Sequence, residues 1–220
     1  MSFADRDGRI WLDGHLVPWR EANLHVLSHA LHYGSCVFEG ARAYGGVIFK
    51  LTEHSERLRR SALRLGFELP WTVAQIDEAC RAVVEANELD HAYLRPIAWR
   101  GSTEMGVSAR EDDVHLAVTA WHWGAYFGEE SAARGVRLDL ADWRRPAPDT
   151  APTDAKASGL YMIATLAKNA AEAKGYDDAL MLDWRGQVAE STGANVFFVK
   201  DGGCTRRCPN ASSTASRASR

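Results

Sequence analysis

Pro152-Thr153-Asp154-Ala155-Lys156-Ala157-Ser158-Gly159-Leu160-Tyr161 sets one lysine among small residues, just ahead of a run with helical spacing. An aldehyde cofactor needs a lysine that can lose its proton, with neighbours small enough for a flat ring to lie against the backbone. Lys156 therefore reads as a Schiff-base lysine, and Glu190 follows a short distance downstream. The passage before it, from Arg145-Pro146-Ala147-Pro148 to Pro152, is proline-rich and extended, stiff enough to aim the lysine.

Downstream, residues 159–174 place Leu160, Ile163, Ala164, Ala167, Ala170 and Ala171 at helical spacing and stop at Gly175. Residues 179–183 and 195–200 read as strands flanking the Arg185-Gly186 turn and the Glu190 segment, and residues 136–143 read as a strand upstream. Between residues 124 and 135 the periodicity breaks around glycines and Glu129-Glu130, which marks a linker.

Towards the N-terminus, Arg9 to Trp19 alternates around Asp13-Gly14, and a second pair of β-prone runs meets at Gly45-Gly46; both predict hairpins. Thr52 is placed to cap a helix over residues 53–65, with Leu58, Ala62 and Leu65 on one face and Gly66 at its end. Thr72 and Gln75 form a capping box ahead of a helix reaching Asn87. Residues 92–99 and 114–123 predict two further strands of the first sheet, with Val114, Leu116, Val118 and Ala120 on one face of the second.

With 220 residues, 46% hydrophobic and 25% charged, the chain has the composition of a globular protein, and its net charge of −3 gives no reason to expect nucleic acid. A small-molecule ligand is the expected partner. The N-terminus is acidic where a signal peptide would be basic and then apolar, and no apolar run reaches membrane-spanning length, so a cytoplasmic chain without membrane contact is expected. Cys36 and Cys80 lie in apolar stretches and read as reduced core thiols. Cys204 and Cys208 are too widely spaced, and too alone, for a zinc site. From Cys204 onward there is no large apolar residue, only four arginines and no acid, so that stretch cannot add to a core.

Several segments, taken together and in order, resemble the branched-chain amino-acid aminotransferases, class IV, among the fold type IV pyridoxal-phosphate enzymes. They are His29 to Gly40, His54-Ser55-Glu56-Arg57-Leu58, Tyr93-Leu94-Arg95-Pro96, Trp123-Gly124-Ala125-Tyr126, the Lys156 segment, and Glu190 to Asn195. The resemblance covers about residues 8–202. It implies a mixed α+β, α/β architecture: a small N-terminal α/β domain over residues 1–123, the linker at 124–135 and an incomplete C-terminal pseudo-barrel domain over 136–202, while composition marks residues 203–220 as an aberrant, disordered tail.

It also implies roles. Lys156 would hold pyridoxal 5'-phosphate and shuttle a proton; Arg57 would hold the phosphate, Glu190 the pyridine nitrogen, and Tyr161 would sit by the ring oxygen. Arg95 would receive the distal carboxylate of glutamate, while Phe38, Tyr33, Trp123 and Tyr126 would form the walls for a branched side chain. Val107 would reach the pocket of a second copy in a homodimer. The implied reaction is transamination between leucine, isoleucine or valine and 2-oxoglutarate.

The chain departs from the family in two places. Ala194 stands where the family often has a second glutamate, and the Gly-Ile-Thr and Gly-Thr-Ala-type loops that follow in the family have no counterpart between Gly203 and Arg220. Starting at the third base of the Gly203 codon, GC-rich codons permit Leu-His-Ala-Pro-Leu-Pro-Glu-Arg-Phe-Leu-Asp-Gly-Ile-Thr-Arg, so the stretch after Gly202 fits a frameshifted family sequence. Two alternatives stay open: a catalytically inert fragment, and another fold type IV enzyme such as a D-amino-acid aminotransferase or an aminodeoxychorismate lyase.

Overall fold

Antiparallel pairing organises the first half of the chain, and it starts from the two turns that the glycines make possible. The computed structural model describes residues 2–109, 113–124, 131 and 134–206, without the side chain of residue 206. It divides into two compact units, Met1–Trp123 with Lys156–Gly159, and Gly124–Ala155 with Leu160–Arg220.

In the first unit, β1 (Arg9–Leu12) and β2 (His15–Pro18) form the expected hairpin, with Asp13 and Gly14 both at positive φ in its two-residue turn. After the short helix α1 (His29–Tyr33) come β3 (Cys36–Phe38), β4 (Ala41–Tyr44) and β5 (Val47–Ile48), the last two joined at Gly45-Gly46. Then follow α2 (Leu51–Arg64), α3 (Val73–Ala86), β6 (Ala92–Arg100) and β7 (Val114–Trp121). The sheet runs β2-β1-β7-β6-β4-β5, and β3 also pairs with β6, all antiparallel.

Strand alternation gives that sheet two different faces. Ala92, Leu94 and Ala98 of β6, with Leu116, Val118 and Ala120 of β7, bury against Leu58 and Ala62 of α2 and Ile76, Cys80 and Val83 of α3. The other face of β6 carries Tyr93, Arg95, Ile97 and Trp99, and among the described residues no long helix packs on it. Burial pushes the Cys36 thiol up and the Cys80 thiol up to about 12, so both stay protonated core groups.

The capping box forms as predicted: Gln75 N–H donates to Thr72 Oγ1 at 3.3 Å, and Thr72 N–H to Gln75 Oε1 at 2.9 Å. The start of α2 differs from the expectation. Lys50, at φ 52°, precedes the helix, and Thr52 lies inside it with its hydroxyl donating to Asp77 on α3 at 2.7 Å. Ser55 donates to the other oxygen of Asp77 at 2.6 Å. A carboxylate on the neighbouring helix has recruited the hydroxyls that local reasoning gives to a cap.

In the second unit, β8 (Leu138–Leu140) pairs in parallel with β9 (Asp178–Leu182), and α4 (Met162–Ala173) lies between them in sequence, packing Ala167 and Ala171 on Ala179. The expected strand over 136–143 is thus only three residues long, its ladder ending where Ala141 N–H donates to Leu180 C=O. The Glu190 segment is itself a strand, β10 (Val188–Ser191), antiparallel to β9.

β11 (Phe197–Lys200) pairs with β12 (Gly203–Arg206) across Asp201-Gly202, both at positive φ. Residues 203–206, placed by composition in a disordered tail, thus form a strand, because ladder bonds use backbone groups and need no apolar side chains. Its exposed residues add nothing to a core, as the composition requires. Residues 207–220, and most of the expected linker, lie outside the described residues.

Candidate active site

Lys156 belongs to a four-residue strip that adds an edge to β3 inside the first unit. Val37 bridges Ala157 in antiparallel fashion, and Phe38 N–H donates to Lys156 C=O at 3.1 Å. Lys156 N–H donates to the Ser61 hydroxyl of α2 at 3.0 Å, and Ser158 Oγ donates to Cys36 C=O at 3.2 Å. Small neighbours let the strip lie this close to the sheet: Ala155 and Ala157 are buried while Lys156 is half-buried. Its Nζ stands 4.7 Å from the centre of the Phe38 ring, within cation–π range.

One residue after Phe38 lies Glu39, 0% exposed. Arg57 of α2, 8% exposed, donates to both its oxygens, Nε to Oε1 at 2.5 Å and Nη2 to Oε2 at 2.6 Å, and His54 Nδ1 lies 2.7 Å from Oε2. Burial alone would push the Glu39 carboxyl up; hydrogen bonds from Arg57 and His54 outweigh it and hold the carboxyl below its usual value. The folded chain therefore takes up this proton at lower pH than the unfolded chain does. The stability from Glu39 is present above the unfolded glutamate pKa of about 4.3 and is lost as pH falls through the lower folded value. Urea unfolding from pH 6 to pH 3 is expected to show that loss in the wild type and a flatter profile in Glu39→Gln.

Phe38 also meets Arg95, whose guanidinium carbon is 4.6 Å from the ring centre. Arg95 Nη2 donates to the Tyr93 hydroxyl at 3.0 Å, while its buried Nε has no hydrogen-bond partner among the described residues. Tyr93 packs against Trp121 and Trp123 at 5.1 and 4.9 Å between ring centres. A Cβ on Gly40 would overlap the Tyr93 hydroxyl. Gly40→Ala is expected to displace Tyr93, costing about 1–3 kcal/mol and altering the near-ultraviolet dichroism of this aromatic cluster.

In the second unit, Glu190 lies on β10 opposite Met181, with its Oε1 3.1 Å from Nε of Arg145, a residue 3% exposed. Arg145 also donates from Nη1 to Leu160 C=O at 3.5 Å, the peptide next to Tyr161. It is held in turn by the bond from its own N–H to Leu182 C=O at 2.8 Å.

Residues 36–212 match the model of the amino-transferase class IV family. The chain belongs to that family. It is 46% identical over 206 residues to the branched-chain-amino-acid aminotransferase of Pseudomonas aeruginosa, a match covering 92% of this chain and 67% of that one. The crystal structure of the Escherichia coli branched-chain amino acid aminotransferase superposes with a TM-score of 0.90 at 38% identity, over 94% of this chain and 70% of that one. The T.th. branched-chain amino acid aminotransferase with pyridoxamine 5'-phosphate gives 0.85 at 44% identity, over 90% and 67%. The chain spans about two thirds of the length of the curated relatives it matches.

In this class IV aminotransferase, Lys156, Phe38, Arg95 and Arg57 lie within one unit, and Trp123 joins them through Tyr93. Tyr161 and Glu190 lie in the other unit. Tyr33 is 46% exposed on α1 and packs on His29; Val107 is 84% exposed. Tyr126 lies outside the described residues. Reading the sequence for single roles misses Glu39, His54 and Arg145. The signal for Glu39 was an acid directly after the apolar run Cys36-Val37-Phe38, and for Arg145 a cation just before a proline-rich turn. No helix among the described residues is long and apolar enough to cross a membrane.

Proposed function

We propose that this chain carries the machinery for pyridoxal-phosphate-dependent transamination of leucine, isoleucine and valine with 2-oxoglutarate. The observation that carries the reading is the Lys156 strip. Its backbone is bonded to β3 and α2, its Nζ lies 4.7 Å from the centre of the Phe38 ring that Arg95 also meets, and Phe38 is followed directly by Glu39, the partner of Arg57. When bound, the cofactor supplies an electron sink for the substrate α-carbon.

The residues present fit it. Arg57 is a buried guanidinium set in one plane, suited to a phosphate, and Glu190, held against Arg145, is the carboxylate suited to the pyridine nitrogen. Tyr161 takes the place beside the ring oxygen. Lys156 holds the cofactor and moves the proton at the substrate α-carbon.

Arg95 suits the distal carboxylate of glutamate, since a buried N–H left unmet costs about 1–3 kcal/mol and its Nε meets none among the described residues. Phe38, Trp123, Tyr33 and Tyr126 wall the branched side chain, and the exposure of Val107 suits a residue that enters the pocket of a second copy in a homodimer. Two further complexes of the T.th. enzyme, with 4-methylvaleric acid and with N-(5'-phosphopyridoxyl)-L-glutamate, support one site for both kinds of side chain. The setting is cytoplasmic amino-acid biosynthesis.

The test is the formation of 2-oxo acid from each amino acid by the chain incubated with pyridoxal 5'-phosphate and 2-oxoglutarate. L-Leucine, L-isoleucine and L-valine are expected to react and D-alanine not to. Turnover of D-alanine alone, or of none of them by a folded chain, contradicts the reading.

A further inference from the structure

We propose that Glu39 is a positioning residue: it sets the plane of the Arg57 guanidinium and, through the peptide it shares with Phe38, fixes that plane relative to Lys156. The proposal rests on the assignment of Arg57 to the cofactor phosphate.

A closed circuit of contacts carries it. Helix α2 presents Arg57 and Ser61 one turn apart on its buried face. Arg57 grips the Glu39 side chain from two nitrogens, and Ser61 receives the Lys156 N–H at 3.0 Å. Lys156 C=O then accepts from Phe38 N–H at 3.1 Å, which returns the circuit to Glu39. Glu39 is fixed from two more sides, its N–H donating to Pro96 C=O at 2.8 Å and its Oε2 lying 2.7 Å from His54 Nδ1.

An anion beside a phosphate-binding arginine opposes the phosphate electrostatically, so its presence needs a reason. An unheld arginine loses side-chain entropy of about 2 kcal/mol on being fixed, and a two-point carboxylate grip removes that freedom before any ligand arrives. Lysine and phosphate arginine must sit a fixed distance apart on a rigid ligand, and the Phe38-Glu39 peptide is the shortest covalent path between their two partners.

The test compares pyridoxal 5'-phosphate with pyridoxal, which lacks the phosphate, by equilibrium dialysis against the full chain and Glu39→Gln. The variant is expected to bind the phosphorylated ligand about tenfold more weakly and pyridoxal within about twofold of the wild type. Amide hydrogen exchange without ligand is expected to speed up at Phe38 and Lys156. Equal weakening of both ligands would mean a structural role only, and tighter binding of the phosphorylated ligand would mean that Glu39 acts as an opposing charge; either overturns the proposal.

If Glu39→Gln does not fold, His54→Gln, which removes one contact to Glu39, carries the same comparison with an expected selective loss of about threefold. Equal binding of the two ligands by the wild type, or binding of neither, would contradict the phosphate assignment of Arg57 instead. Exchange at Phe38 and Lys156 then decides the link alone: unchanged rates in the folded variant overturn it, and faster rates support it.

Discussion

Lys156→Ala is expected to lower transamination by more than about 10⁴-fold, because it removes both the group that holds the cofactor and the one that moves the proton. The fold should persist. Lys156 is half-buried, and the strip is attached through its main-chain N–H and C=O, which alanine keeps. Unfolding free energy is expected to stay within about 1 kcal/mol of the wild type. Steady-state rates with leucine and 2-oxoglutarate, beside a urea titration of the same preparations, check both halves. A stable variant with more than a tenth of the rate would remove Lys156 from the reaction.

The largest expected effect on stability belongs to Arg57→Ala. It takes the two-point partner from the Glu39 carboxylate, which is 0% exposed and keeps its contact with His54, and breaking a buried ion pair by removing one partner costs about 3–5 kcal/mol. Removing both charges together should cost less than the two single losses added, since no unpaired ion is then left behind. Urea unfolding of Arg57→Ala, Glu39→Ala and the double variant measures that coupling. Additive losses would show that the pair is not coupled, despite its 2.5 and 2.6 Å contacts.

What the sequence made legible was local. Asp13-Gly14 and Gly45-Gly46 each place their turn, Thr72 with Gln75 places the start of α3, and the alternation of Leu116, Val118 and Ala120 places one face of β7 on the helices. These features depend on residues within a few positions of one another. The errors came where a partner lies far along the chain. Thr52 looked like a cap until Asp77, 25 residues on, took its hydroxyl. Glu39 and Arg57 meet across 18 residues and Arg145 meets Glu190 across 45, distances over which periodicity carries no information.

The resemblance named Lys156, Arg57 and Arg95 but not what holds them. Only the structure shows that Arg57 answers to a buried acid and that the lysine is anchored by its backbone. Composition misled once, at Gly203, where a stretch unfit for a core still completes a hairpin through an Asp-Gly turn.

Everything proposed for this site depends on Lys156 being the residue that holds an aldehyde cofactor. Borohydride reduction of the chain after incubation with pyridoxal 5'-phosphate, followed by mass spectrometry of its peptides, tests it directly. A reduced adduct is expected on Lys156 at about one per chain, with Lys50, Lys168, Lys174 and Lys200 labelled little and alike. Preferential labelling of any of those four, or an unlabelled Lys156 in a folded chain, would contradict it.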